Sequence, residues 1–390
     1  MNGPTPRGTE AAFPETTYVG RIARAREGLR ARGLDAALFT GPENIFYLTG
    51  QQTPGYYTFQ ALILPAEGEP AFLLRELEVH NFLRNSFVAE YRAYGDGEAP
   101  LDALLALLRH RGLDGRRIGI EKSGWFLSIA FYEALRAALP DLADASGIVE
   151  AMRRVKSAEE IARIEEAMRQ ADAGIRAGLA AVRSGATEND LVAAMMGAAV
   201  AAGAEYMGME PLVSSGPRSG VPHATWRRRR LEAGDAVFLE MSGCQDRYHS
   251  GLMRTAWLGE PPPLARELEA VVLEALDAAI AAARPGAPCA APHRAARAVI
   301  DAAGMEDRFR KRSGYSLGVA FAPDWGEWQV ASLHDSVDLP LAPGMCFHVP
   351  ITLREWGAFT VGISESILIT EGGGRILGNT PPRPIHVVTA

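Results

Sequence analysis

The chain of 390 residues has few cysteines, no surplus of positive charge and no long apolar run. Its three cysteines lie far apart, which argues against a disulfide framework and a thiolate zinc site. A formal net charge of −7 argues against nucleic-acid binding. The most apolar run, residues 191–204, is shorter than the ~20 residues of a membrane span, and residues 1–18 lack a signal-peptide core. We therefore expect a cytoplasmic protein without a membrane or nucleic-acid partner.

Helical and strand-like patterns alternate along residues 18–150. The segment RIARAREGLRARG predicts an amphipathic helix that ends at a glycine, and DAALFTG predicts the buried strand that follows. Further strands are predicted at ALILP, AFLL and RIGIE, and a further helix at LDALLALLRHRG. This order indicates an α/β domain with a mixed sheet.

A long helix is predicted to begin at Ser157, where Ser157 and Glu160 form an S-x-x-E capping box. We place the domain boundary there, which gives domains at 1–155 and 156–390. The second domain contains an internal repeat, because AAVRSGA matches AAARPGA and LEAGDAVF matches LAPGMCFH. Two copies predict a pseudo-twofold domain with a pocket between its strand blocks, and they pair Gly251 with Glu365.

Four segments resemble the creatinase/prolidase/methionine aminopeptidase family, whose catalytic domain has the pita-bread fold. They are R-x-V-K-S-x-x-E-I-x-x-I (154–164), GDAVFLEMSG (234–243), R-Y-H-x-x-x-x-R-T (247–255) and SESILITE (364–371). The resemblance covers nearly the whole chain. It implies an α/β (α+β) protein with a creatinase-type N-terminal domain and a pita-bread C-terminal domain.

Metallopeptidases of that family hold two metal ions with two Asp, one His and two Glu. The matching positions here carry Glu240, Gly251, Tyr315, either His348 or Val349, and Glu365. Two carboxylates are too few for the oxygen-rich cage that two hard divalent ions need. We therefore expect no metal and no cofactor.

The same substitutions resemble the metal-independent branch of the family, which includes creatinase and ectoine hydrolase and opens C–N bonds in small nitrogen-rich compounds. An amidinium or guanidinium carbon is electrophilic without a Lewis acid, and carboxylates can pair with its N–H groups. We expect a metal-independent hydrolase that cleaves a C–N bond other than an ordinary peptide bond. The alternatives are a Xaa-Pro peptidase-like enzyme or lyase with a reduced metal site, and a non-catalytic ligand-binding pseudoenzyme.

The resemblance implies three catalytic residues. His223 matches the histidine that acts as acid and base in creatinase, and an imidazole titrates near neutral pH. Glu240 lies in an apolar run typical of a strand buried on both faces, where an idle carboxylate would be costly. The resemblance makes Glu240 the nucleophile or the base for the attacking water, and Glu365 the group that holds the substrate nitrogen.

Aromatic side chains are candidates for lining the substrate pocket. Tyr315 either donates a hydrogen bond from the former histidine position or packs in the core. Trp226, Trp325 and Trp356 either bind a cation through their ring faces or serve only in packing.

Three polar residues are further substrate-binding candidates. Glu327 would make a polar contact. Arg254 would orient Glu240 or bind a substrate carboxylate, or it has a structural role. His249 lies two residues before Gly251, so on an extended strand both positions face the same side.

The resemblance also implies a homodimer, because in dimers of this family the N-terminal domain of one subunit covers the active site of the other. The aromatic stretch TPGYYTFQ would supply this cover. Tyr57 and Phe59 are therefore expected to enclose a small substrate bound to the partner.

Overall fold

The computed structural model describes residues 7–389, so the first six residues of the polar N-terminal stretch lie outside it. The chain divides into two compact units between Met152 and Arg153. The helices and strands of the first unit are α1 (Glu15–Ala31), β1 (Ala36–Phe39), α2 (Pro42–Thr49), β2 (Ala61–Pro65), β3 (Ala71–Arg75), α3 (Val79–Asn85), β4 (Glu90–Tyr94), α4 (Pro100–His110), β5 (Ile118–Ile120), α5 (Ile129–Ala138), β6 (Ala143–Asp144) and α6 (Ile148–Arg153).

The strands of the first unit form one mixed sheet in the order β4-β3-β2-β1-β5-β6. β1 pairs antiparallel with β2 and parallel with β5. Successive side chains of a strand point to opposite faces, so Phe39 and Phe72 join one apolar core while Leu38 and Leu73 join another. Both faces are therefore covered, which confirms the predicted α/β domain with a mixed sheet.

The described part of the second unit contains two long helix pairs, two larger sheets and a two-stranded sheet. Its elements are α7 (Ala158–Ala181), α8 (Glu188–Ala201), β7 (Leu212–Ser215), β8 (Ala236–Met241), β9 (Cys244–Gln245), β10 (Tyr248–His249), β11 (Leu252–Leu258), α9 (Pro263–Ala282), α10 (Ala290–Ala302), β12 (Gly314–Ser316), β13 (Ser332–Leu333), β14 (Cys346–Glu355), β15 (Phe359–Thr370), β16 (Gly373–Ile376) and β17 (His386–Val388). The orders of the larger sheets are β17-β11-β8-β7 and β13-β12-β14-β15-β16, and β9 and β10 form the two-stranded sheet.

Each copy of the sequence repeat is a helix pair followed by strands, as predicted. The two larger sheets meet where β11 crosses β15. The Thr255 hydroxyl donates to the carbonyl of Gly362 at 3.0 Å and accepts from its amide at 2.9 Å. A Cβ at position 362 would lie 2.6 Å from the sulfur of Met253, so a side chain here would force its neighbours to move.

The predicted start of the long helix is confirmed. The Glu160 amide donates to the Ser157 hydroxyl at 3.3 Å, and the Ser157 amide donates to the Glu160 carboxylate at 2.7 Å. This reciprocal capping box satisfies amides that have no partner inside the helix. Across residues 7–389, no helix combines the length and the apolar character that crossing a membrane requires.

Candidate active site

A cavity of about 520 Å³ in the second unit collects charged and aromatic side chains from four separate parts of the chain. Strands β7, β8 and β11 supply apolar walls, and the loops before β12 and after β7 supply polar groups. The side chains in the lining that can carry charge or donate hydrogen bonds are Ser214, Ser219, His223, Glu240, Arg310, Lys311, Arg312, Tyr315, Asp324, Trp325, Arg354 and Trp356.

Glu240 reaches this cavity from the middle of β8. That strand pairs with β7 on one side and β11 on the other, so the glutamate is buried. Its carboxylate accepts no hydrogen bond from any of residues 7–389. Burial raises the pKa of Glu240, while the positive charges of Lys311 and Arg354 partly oppose the rise. The site therefore holds a desolvated carboxylate with free lone pairs.

His223 lies at the rim of the cavity, just after the short turn at Gly216–Gly220. Its φ of 54° falls in the left-handed region, which costs energy for a residue with a side chain. Partial burial and the charges of Lys311 and Arg354 lower the pKa of His223. The imidazole is thus neutral at neutral pH and able to accept a proton.

A chain of hydrogen bonds leads from the cavity into the protein. Trp325 donates to the Tyr315 hydroxyl at 2.7 Å, and that hydroxyl lies 2.8 Å from Nδ1 of His348. Nε2 of His348 lies 2.7 Å from the Ser364 hydroxyl. Burial, with the charges of Lys311 and Arg254, lowers the pKa of His348 to about 3. A neutral relay of polar side chains therefore fills this region.

Gly251 makes room for the relay. A Cβ at this position would lie 2.7–3.0 Å from three atoms of the His348 ring. The Gly251 backbone exchanges hydrogen bonds with the Ser366 hydroxyl at 3.1 and 2.8 Å. The missing side chain at position 251 thus faces His348, and not Glu365 as the repeat suggested.

The structure does not bring Glu365 to the cavity. Glu365 follows Ser364 on β15, so its side chain points to the opposite face of the strand. There it pairs with Arg254 at 2.9 Å and with Arg383 at 3.0 Å. Arg254 is buried and also donates to backbone carbonyls, so both residues form an internal ion-pair cluster.

Of the other predicted binding residues, Tyr315, Trp325 and Trp356 line the cavity. Trp226 is half-buried and lies outside the lining. His249 is also outside it: its Nδ1 bonds to a backbone carbonyl, and its Nε2 accepts from the Gly208 amide at 3.0 Å.

Glu327 lies outside the cavity in a buried ionic cluster. It pairs with Arg153 at 2.7 Å and with Lys156 at 2.9 Å, and it accepts from the Val319 amide. Burial alone would raise the pKa of Glu327, but the charges of Lys156 and Arg153 outweigh burial and hold it below the ordinary value. These contacts leave Glu327 a structural role within the second unit.

Tyr57 and Phe59 belong to the first unit. Tyr57 is 76% exposed. Phe59 stacks on Phe131 with ring centroids 4.1 Å apart. Tyr57 is therefore the side chain of this pair that is available to another molecule.

Four cationic residues of the cavity were missed by sequence reasoning: Arg310, Lys311, Arg312 and Arg354. Lys311 lies in the loop before β12, and Arg354 near the end of β14. One signal was present: Lys311 is one of only three lysines in a chain with thirty-seven arginines. No sequence pattern distinguishes Arg354 from the other arginines.

The residues do not fit a pair of hard metal ions. Glu240 and Asp324 are the carboxylates of the cavity lining, and Lys311 and Arg354 already present positive charge to Glu240. Within the described part of the chain, no three His, Cys, Asp or Glu side chains converge as ligands for a metal ion. A divalent cation here would meet repulsion and too few oxygen ligands.

This two-unit architecture is shared with known proteins. Residues 162–371 match metallopeptidase family M24, and residues 21–155 match the creatinase/prolidase N-terminal domain. The chain therefore belongs to the M24 family, a family of hydrolases with the pita-bread fold.

Ectoine hydrolase from Halomonas elongata is 31% identical, over 95% of this chain and 97% of that protein. An uncharacterized hydrolase/peptidase from Sinorhizobium fredii is 29% identical over 95% of this chain and 97% of its own. Among solved structures, dipeptidase PepE from Mycobacterium ulcerans is 27% identical with a TM-score of 0.84, covering 97% of this chain and 100% of that one. The prolidase from Pyrococcus horikoshii, at 24% identity and a TM-score of 0.83 over 94% of this chain and 100% of that one, shows the fold.

Proposed function

We propose that this protein is a metal-independent hydrolase that cleaves a C–N bond, as in an amide or a cyclic amidine, of a small nitrogen-rich substrate. The observation that carries the proposal is Glu240, a buried carboxylate that faces a cavity without a hydrogen bond from the described chain. A buried carboxylate without a partner in the chain is costly, and a molecule bound in the cavity can supply that partner. The similarity to ectoine hydrolase supports the same class of chemistry.

Glu240 and His223 have different roles in the proposed reaction. Glu240 acts as the nucleophile or as the base for the attacking water, and both roles need the ionised form. His223 accepts and returns a proton from the rim, because its lowered pKa keeps it neutral. Turnover therefore rises with pH through the raised pKa of Glu240, above the ordinary carboxyl value of about 4.3.

The cavity combines apolar walls with two carboxylates. Trp325, Tyr315 and Phe238 form its apolar walls, and Trp356 stands at 40% exposure in its lining. Glu240 and Asp324 can pair with N–H groups of an amidine or amide. Glu365, which is held by Arg254 and Arg383, has no part in this proposal.

The test is a mass-spectrometric screen of small cyclic amidines, lactams and N-acyl amino acids. We expect His223→Ala and Glu240→Gln each to lower kcat/KM for a cleaved compound by at least about 10²-fold. His386→Ala and Glu371→Gln, at exposed positions, serve as matched controls. Wild-type rates in both site variants would refute catalysis at this cavity.

Metal independence is tested on the same preparation. Elemental analysis should find less than one bound divalent ion per chain, and a chelator should leave the rate unchanged. Stoichiometric metal together with inactivation by the chelator would overturn this part of the proposal.

We also propose that the protein acts as a homodimer in which the first unit of one subunit covers the cavity of the other. The exposed ring of Tyr57 supports this arrangement. The cytoplasmic location stays a prediction from the sequence.

A further inference from the structure

Lys311 is a charged group of the cavity to which no role has been given. It lies in the loop between the short turn Glu306–Arg308 and β12, and it lines the same cavity as Glu240. In the described part of the chain its ammonium group makes no hydrogen bond and no ion pair. Lys156, in contrast, pairs with Glu327 at 2.9 Å and donates to Ser316 at 3.0 Å.

The amino-acid usage of the chain makes this lysine unusual. The chain uses arginine thirty-seven times and lysine three times, at Lys122, Lys156 and Lys311. A guanidinium group stays protonated in proteins, whereas an amine can release its proton. Lys311 pairs with no carboxylate, and the other cationic side chains of the lining are the arginines Arg310, Arg312 and Arg354. A lysine at this place suits a role that needs proton release.

The charges around Lys311 favour that release. Burial and the neighbouring Arg354 and Arg312 lower the pKa of Lys311, and Glu240 opposes the change. The remaining charged or titratable groups of the lining are His223, Arg310, Asp324 and Tyr315. The ammonium and the Glu240 carboxylate form no ion pair, which leaves space for a substrate between them.

We propose that Lys311 is a further catalytic residue, the acid that protonates the leaving nitrogen of the substrate. The proposal rests on the proposed function and adds to it a proton donor for the leaving nitrogen, while His223 exchanges a proton at the rim of the cavity. With Glu240 as the base, water loses a proton to Glu240 and its oxygen bonds to the substrate carbon. The C–N bond then breaks, and its electron pair on nitrogen takes a proton from Lys311. Transfer of the proton from Glu240 to the Lys311 amine restores both groups.

The first experiment needs no substrate. Full-length protein is acetylated with sulfosuccinimidyl acetate over a range of pH, and mass spectrometry follows Lys311, with exposed Lys122 as the reference for labelling efficiency. We expect a midpoint for Lys311 well below the ordinary lysine value of about 10.4. Glu240→Gln should lower this midpoint further and Arg354→Gln should raise it. A midpoint near the ordinary value, or one that neither variant moves, would overturn the proposal.

The second experiment measures turnover of whichever compound the screen identifies. Lys311→Met and Lys311→Arg should both lower kcat by about 10²- to 10⁴-fold, because neither side chain can donate a proton. Lys122→Met, a surface variant, should leave kcat unchanged. Full activity in Lys311→Arg would show that turnover needs only the positive charge at this position, and it would refute the proposal.

The two proposals fail in different ways. If Lys311→Met keeps the wild-type kcat while His223→Ala and Glu240→Gln are inactive, Lys311 is not the acid but the proposed function still holds. If all three variants keep the wild-type kcat, both proposals are wrong.

Discussion

At the scale of single residues, two charged groups of the site have no partner in the described chain. Glu240 and Lys311 line one cavity, yet each keeps its hydrogen-bonding capacity unused within residues 7–389. Other buried carboxylates of the same unit form ion pairs, as Glu327 does with Lys156 and Glu365 does with Arg254. Charged groups without a partner are candidates for binding a ligand, whereas the paired groups stabilise the fold.

The raised pKa of Glu240 predicts a cost in stability. Between the ordinary carboxyl pKa and the raised one, the folded state holds a proton that the unfolded state releases, so the free energy of unfolding falls as pH rises. Glu240→Gln removes this cost. We expect the variant to be more stable than the wild type, by about 1.4 kcal/mol for each unit of the raise, and its advantage to grow between pH 5 and pH 8.

Urea unfolding of both proteins at the two pH values measures this difference. Glu371→Gln controls for the loss of one exposed carboxylate. An advantage of Glu240→Gln that does not change with pH would contradict the raised pKa.

At the scale of strands, β11, β14 and β15 hold the polar relay in place. His348 on β14 bonds to Ser364 on β15, and the bare Cα of Gly251 just before β11 leaves the space that the imidazole fills. The relay is neutral, so it needs no counter-ion. Its side chains occupy the region that the resemblance assigns to metal ligands.

Gly251→Ala tests this fit. The new methyl group would collide with the His348 ring, and overpacking of this kind costs about 1–3 kcal/mol of stability. In a His348→Ala background the space is open, so the same substitution should cost less. A double-mutant cycle by urea unfolding measures the coupling. Equal costs in the two backgrounds would show that Gly251 does not serve to admit the ring.

The ionic cluster of Glu327 joins the entry of α7 to the loop before β13. Glu327→Gln leaves the buried Arg153 and Lys156 without their carboxylate partner, and loss of one member of a buried ion pair costs about 3–5 kcal/mol. Because the pKa of Glu327 is lowered, this stability is present above the ordinary carboxyl pKa and is lost as pH falls through the folded-state pKa.

Thermal unfolding of Glu327→Gln near neutral pH measures the loss, and activity per folded molecule should remain near the wild-type value. A loss of activity without a loss of stability would instead indicate that Glu327 contacts the substrate.

At the scale of the whole molecule, the homodimer predicts a sedimenting species of about twice the chain mass of 41.9 kDa. If Tyr57 covers the partner's cavity, Tyr57→Ala should raise KM while leaving the unfolding midpoint unchanged. Trp125→Ala, which truncates another exposed aromatic residue of the first unit, is the control. A monomer with full activity would exclude a shared site.

Much of the fold follows from local patterns in the sequence. Apolar periodicity predicts the helices and strands of the first unit, the S-x-x-E box predicts the start of α7, and the internal repeat predicts two helix pairs with their strands. Glu240 and His223 stand out because a carboxylate in an apolar strand and a histidine in a matching motif are unusual in themselves.

The tertiary structure decided which side chains meet. Strand side chains alternate between faces, so whether Ser364 or Glu365 turns toward the polar relay depends on the pairing of β15, which local sequence does not fix. Lys311 and Arg354 join Glu240 only because a loop and the end of β14 fold beside β8. The sequence by itself thus determined the architecture and five residues of the cavity lining, namely His223, Glu240, Tyr315, Trp325 and Trp356. Long-range packing decided the charge around them, because that charge comes from segments far apart in the chain.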